Sequence, residues 1–305
     1  MASGTPTNRT NIELPVSVST EILQKTQEQS AVMQLARQIS LPGNGVQIPV
    51  ITSDPVADWV TETGNKPVSN PGLSKKIMQA HKLAVIVPFS NEFRRDAAAL
   101  YAALVQRLPA ALGKEFDKTV FFGPGSTLAN FDDFSEVTAQ ALDASQKTAF
   151  DGIVAADADI SSQGGIVNGW VMSPQGRGVL LAAQDTDKRP LFINNIADGA
   201  VNQILGSPVV VNGAAYKAGS AGVGTAAGTP DIVGFAGDWT HALYGTVEGI
   251  KIDVSDQATL TVQNGTSVSQ INLWQKNMFA VRAEIEVGFV AETAYFNALT
   301  RAHSA

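Results

Sequence analysis

The sequence contains no cysteine, and that one absence removes disulfides, thiol nucleophiles and thiolate-bound metals together. Histidine is almost as scarce. His81, His241 and His303 lie far apart, none with another metal-ligand residue at helical spacing, and each reads as a surface or hydrogen-bonding residue. No run approaches the roughly 20 consecutive apolar residues of a membrane span. Residues 1–10 are polar and carry no signal-peptide pattern. Positive charge is also short: 21 Lys and Arg stand against 28 Asp and Glu, for a net charge of −7. Tight nucleic-acid binding rests on neutralising phosphates, so this balance excludes a gripping contact but not a wall around nucleic acid. There is no G-x-S-x-G elbow, no H-E-x-x-H helix and no P-loop. The expectation is a protein folded in the cytoplasm, without cofactor, metal, membrane contact or catalytic residue.

Fainter signals resolve the same way. Gly222, Gly224 and Gly228 echo a dinucleotide loop, but at the wrong spacing and without the flanking strand and helix, so a flexible loop is expected. The close pairs Asp157/Asp159 and Asp185/Asp187 read as solvated turns rather than acid–base pairs.

What is present is organised around residues 90–122. Phe93, Ala97, Leu100, Leu104, Leu108, Leu112, Phe116 and Val120 recur every three or four positions, the spacing of one helical face. Ser90 is placed to cap this helix, and Gly123-Pro124-Gly125 stops it. Such a helix is roughly 50 Å long. Pro109 lies inside it and predicts a bend.

Ahead of this spine, residues 1–18 read as an irregular arm and 20–39 as a helix closed by Pro42-Gly43-Asn44-Gly45. Val46, Ile48 and Val50 alternate as a strand, as do Leu83, Val85 and Val87. Between them, residues 52–82 show no core pattern and are broken by Pro55, Gly64, Pro67, Pro71 and Gly72. One reading is a two-stranded arm that projects and finds its burial on a neighbour, with Trp59 and Val60 as anchors. The other is a surface loop. Lys66, Lys75 and Lys76 on this arm are either solvated or paired with a partner's acidic residues.

After the spine, 135–150 reads as a helix and 169–172 as a buried strand. Ser173 and Pro174 then open a helix to about Ala183, and 208–211 is a further strand. The Gly/Ala/Ser/Thr-rich stretch 213–230 reads as a flexible loop, and 232–235 as a strand. Ile250, Ile252 and Val254 alternate. Leu260 and Val262 lead to the hairpin turn Asn264-Gly265. Residues 279–289 give the cleanest strand pattern, with Arg282, Glu284 and Glu286 on the opposite face, and 292–301 reads as a short helix or turn.

In this order the elements resemble the major capsid proteins of tailed double-stranded DNA bacteriophages, a fold shared with encapsulin shells. Five stretches carry the likeness. They are Ala57-Asp58-Trp59-Val60-Thr61-Glu62; Lys82-Leu83-Ala84-Val85-Ile86-Val87-Pro88-Phe89-Ser90 with Asp96; Gly169-Trp170-Val171-Met172-Ser173-Pro174; Leu205-Gly206-Ser207-Pro208-Val209; and Gly237-Asp238-Trp239 with Ala242-Leu243-Tyr244. The resemblance spans 11–301 and implies an α+β chain. An N-terminal arm and first helix would occupy 1–45. A peripheral domain would hold 46–134, with the extended β-hairpin loop 52–82 and the spine helix, and the return strands 250–305. An axial α/β domain would occupy 135–249.

The resemblance also implies self-assembly into pentamers and hexamers that close an icosahedral shell around double-stranded DNA, without sequence-specific binding. The chain would be a virion component assembled in the host cytoplasm. A scaffolding protein, if used, would be separate, since only a short arm precedes the first helix; portal and decoration proteins are further implied partners. Trp59, Val60, Glu62, Lys66, Lys75 and Lys76 are the expected inter-subunit contacts. No motif fixes a Lys–Asn pairing, so no covalent crosslink is expected. The alternatives are an encapsulin-type compartment, or an α/β enzyme with an unrecognised site.

Overall fold

The structure is a computed structural model that describes residues 30–43, 45–53, 59–60, 66, 68, 72–91, 97–125, 128–143, 149–184, 189–192, 201–221, 228–264 and 267–303. Helix α1 (Ala31–Leu35) runs into strand β1 (Arg37–Ser40), followed by β2 (Val46–Ser53), β3 (Gly72–Met78) and β4 (His81–Ser90). The long helix α2 covers Ala97–Phe122. Next come β5 (Thr138–Ala141), α3 (Ala149–Ser162), β6 (Gly169–Met172), α4 (Pro174–Ala182), β7 (Gln203–Ile204), β8 (Ser207–Val211) and β9 (Asp231–Gly237). The chain closes with β10 (Ala242–Thr246), β11 (Lys251–Ser255), β12 (Thr259–Asn264), β13 (Ser267–Asn272), β14 (Met278–Ala291) and β15 (Phe296–Arg301).

The first sheet is built on β14, which pairs with β10, β11 and β4; β1 lies parallel to β10 at one edge. β4 runs antiparallel to β14 from Ser90 opposite Met278 to His81 opposite Val287. The two-residue period of both strands puts Leu83, Val85, Val87 and Phe89 with Phe279, Val281, Ala283 and Ile285 on one face, packed around Leu108 and Leu112 of α2. The other face carries cross-strand charge pairs, Arg282 to Asp253 at 2.6 Å and Lys82 to Glu286 at 3.2 Å. That is why the alternation in 279–289 is so clear: one face is core and the other is ionic.

The second sheet has the order β5-β15-β9-β6-β8-β7. Helices α3 and α4 cover it through Ile153, Ala156, Ile160 and Leu180, against Trp170, Met172, Val233 and Leu299. The Ser173 hydroxyl accepts from the Gly176 N–H at 3.0 Å with Pro174 in the first turn, as the sequence predicts. Phe134 joins the parts: its ring meets Phe121 of α2, Phe235 and Phe296 of the second sheet, and Phe289 of the first.

The structure corrects several expectations. Within the predicted helix 20–39, helix is confined to Ala31–Leu35, because Arg37–Ser40 pairs with β10; residues 20–29 lie outside the described residues. Ser90, the expected cap of the spine, closes β4 opposite Met278; the described helix begins at Ala97, and residues 92–96 lie outside the described residues. Within the predicted helix 135–150, Thr138–Ala141 is instead strand β5, recruited by parallel pairing with β15, and Ala149 belongs to α3; residues 144–148 lie outside the described residues. The predicted terminal helix or turn is one 3₁₀ turn, Thr293–Tyr295, followed by β15 between β5 and β9. Covered on both faces, β15 has no alternation to read. In the stretch expected to be flexible, Gly213–Ala215 forms a 3₁₀ turn, and bridges Lys217–Ile232 and Ser220–Thr229 make a hairpin.

Candidate assembly surfaces

β2 and β3 pair only with each other, from Val46 opposite Met78 to Ser53 opposite Gly72, so they leave the first sheet as an arm. Its base is fixed twice. Met78 is buried with Leu41 and Val290. The Lys76 ammonium donates to Asp132 Oδ2 at 2.8 Å and to the Ala291 carbonyl at 2.6 Å. The same Asp132 oxygen accepts the Ala291 N–H at 3.1 Å, which ties arm, spine exit and β14 into one knot.

Away from this base, several of the arm's described residues are exposed. The Trp59 side chain is 100% exposed, Val68 is 89% exposed, and Val60, Lys66 and Lys75 are exposed as well. Of the six expected contact residues, five are thus placed on the arm, and Glu62 lies outside the described residues. Lys76 differs from the rest because its amine is engaged inside its own subunit.

Three buried carboxylates hold the segments around this arm and spine. Asp117, on α2, accepts from Ser30 Oγ at 2.5 Å, the Ala31 N–H at 2.8 Å, the Val32 N–H at 3.3 Å and Asn212 Nδ2 at 2.6 Å. Burial pushes its carboxyl up to about 7, against the four hydrogen bonds, which all favour the charged form. Asp231, on β9, takes His303 Nδ1 at 2.6 Å, the Gly219 N–H at 2.8 Å and Arg301 Nε at 3.1 Å. These contacts, His303 first, hold it well below the usual carboxylate range despite burial. Asp238 sits where the chain passes from β9 to β10. Burial would raise its carboxyl, but hydrogen bonds from Thr240 and the Ile166 N–H outweigh that and lower it.

Sequence reasoning missed Asp117 and Asp231 and met Asp238 only within the stretch Gly237-Asp238-Trp239. Asp117 left one signal: it follows Phe116 directly, at the margin of an otherwise apolar helical face.

The three histidines all have partners. His81 Nε2 lies 2.8 Å from the Ala129 carbonyl, His241 stacks on Tyr295 with centroids 4.0 Å apart, and His303 meets Asp231. Among the described residues no cluster of three metal-ligand types occurs. None of the described helices is long and apolar enough to cross a membrane.

Comparison with known proteins covers nearly the whole chain. The profile of the phage capsid family matches residues 12–299. The probable major capsid protein gp17 of Mycobacterium phage D29 is 27% identical over 290 residues, 90% of this chain and 86% of that protein. The protein of the same description from Mycobacterium phage L5 is 27% identical over 278 residues, 85% of this chain and 80% of that one. Among solved structures, a chain from Microbacterium phage Oxtober96 superposes with a TM-score of 0.69 at 23% identity, over 99% of this chain and 96% of that chain.

Proposed function

The chain belongs to the phage capsid family, and from that premise we propose that it is the major capsid protein of a tailed phage. Its copies form pentamers and hexamers that close an icosahedral shell around double-stranded DNA. The role is structural, not catalytic.

The arm carries this reading. A two-stranded element that leaves its sheet and exposes a whole tryptophan gains its burial only on another molecule. Here the arm lies over the adjacent subunit, with Trp59, Val60 and Glu62 as contacts and Lys66 and Lys75 as charged flanks, while Lys76 anchors the base. Each contact is modest alone, but every subunit engages several neighbours, and multivalency makes the sum strong. The net charge of −7 suits a container whose contents must slide rather than stick.

Residues 46–134 and 250–305 act as a peripheral unit and 135–249 as an axial one. Portal and decoration proteins, and a separate scaffolding protein where assembly uses one, are the further partners this reading allows, with assembly in the host cytoplasm. The family match favours this over a cargo compartment or an enzyme.

Replacing 54–71 by an Asn-Gly turn tests the arm while sparing Lys76 and Met78. The expected product is soluble capsomers that no longer close. Normal shells from this variant would remove the arm from assembly.

A further inference from the structure

The β7–β8 hairpin turns through Leu205 and Gly206, since Gln203 pairs with Pro208 and Ile204 with Ser207. Both turn residues have positive φ, 49° for Leu205 and 84° for Gly206. Two-residue turns of this kind favour Asn or Asp before Gly, and a bulky apolar residue at positive φ is strained. Leu205 bears that strain while 53% exposed, so burial within its own subunit does not compensate it. Strain held at an exposed position points to use in contact with another molecule.

One neighbour extends this apolar knob. Ile166 is 75% exposed, and its loop is tied to the hairpin by the Ser207 hydroxyl donating to the Val167 carbonyl at 2.7 Å. At the other side of the sheet, Phe150 and Val154 lie one turn apart on the exposed face of α3. Leu191 is also exposed, next to Phe192, whose ring is 6.5 Å from Phe150. The backbone of α3 rests on β5, with Gly152 against the Ala141 carbonyl. β5 and β7 are the two edges of this six-stranded sheet. The pair Leu205 and Ile166 and the group Phe150, Val154 and Leu191 therefore lie toward opposite edges of this sheet.

A ring of identical subunits needs that arrangement, because each copy presents one surface to the neighbour ahead and a different surface to the neighbour behind. We propose that the Leu205 knob, with Ile166, seats on the α3 face of a second copy of this chain, against Phe150 and Val154. This rests on the shell reading and adds the residues that close its rings. The occupant is a second copy because both halves of the contact are present on one chain, each apolar and on opposite edges.

The absence of cysteine permits a direct test. Positions 154 and 205 sit near opposite edges of a six-stranded sheet, roughly 20 Å apart at the usual strand spacing, too far for a disulfide within one subunit. Assembled Leu205→Cys/Val154→Cys protein, oxidised and run without reductant, should give a ladder of multimers that neither single variant gives. A second variant, Leu205→Asn, places a favoured residue in the turn. Its isolated subunit should unfold at an unchanged or higher temperature, while capsomer formation at fixed concentration falls at least tenfold. If the double-cysteine protein stays monomeric on the gel, or Leu205→Asn assembles like the parent, the contact is wrong and the shell reading survives. Failure of the unmodified chain to assemble at all would remove both.

Discussion

The hydroxyl of Ser30 donates to the carboxylate of Asp117 at 2.5 Å, joining residues 87 apart in sequence. Through it, the start of α1 is fixed to the last third of the long helix. Asn212 Nδ2 reaches the same carboxylate at 2.6 Å, so the segment leaving β8 is fixed there as well.

Asp117→Asn keeps the shape and reverses part of the polarity. The amide would turn N–H donors toward a site lined only with donors, which costs about 1–3 kcal/mol. The pH dependence has a definite sign. The folded-state value, raised by burial to about 7, exceeds the ordinary 3.8, so the folded chain holds the proton more tightly. The stability gained this way is complete below the ordinary value and is lost as pH rises through about 7. Urea unfolding at several pH values should show the parent's advantage over Asp117→Asn largest near pH 4 and shrinking toward pH 8. A constant difference would contradict this.

Asp231 has the opposite sign. Its carboxyl is held below the ordinary range by His303, Gly219 and Arg301, so its contribution is present above the ordinary value and is lost as pH falls below it. Thermal unfolding of Asp231→Asn at pH 7 should show a clear loss relative to the parent. Measured at pH 3, the gap should be smaller.

Lys76→Met removes the cation from the knot at the arm base while keeping most of the stem. With both side chains about one-third exposed, the loss in global stability is about 1 kcal/mol or less. The sharper readout is hydrogen exchange, which should accelerate in β2 and β3 and leave β14 unchanged outside Ala291.

Gly237→Ala tests the joint between the sheets. A Cβ there would stand 2.1 Å from Cδ1 of the Phe296 ring, inside the aromatic group around Phe134 and Trp239. Overpacking of this kind costs typically about 1–3 kcal/mol, and the melting temperature should fall by several degrees.

Much of this architecture was legible in the sequence where one face of an element meets water. The strand containing Phe279 and Phe289 alternates because Arg282 and Glu284 face outward. The helix opened by Ser173 and Pro174 carries its cap in the sequence. β15 was not legible, since Asn297 and Thr300 are buried with its apolar residues and hydrogen-bond to the Ala156 and Gln140 carbonyls. β1 and β5 also escaped, because short strands are defined by the partners that recruit them, β10 and β15, far along the chain. On the arm, Trp59 stood out in the sequence as a large apolar residue without a core pattern around it, and it is exposed. Lys76 was not legible as a base, because its partner Asp132 lies 56 residues away.

The central claim is that this chain builds a shell with copies of itself. Purified chain, passed through size-exclusion chromatography and imaged by negative-stain electron microscopy, tests that most directly. The account predicts capsomer rings, tubes or closed particles. A monodisperse monomer that stays monomeric at high concentration and with crowding agents would contradict it.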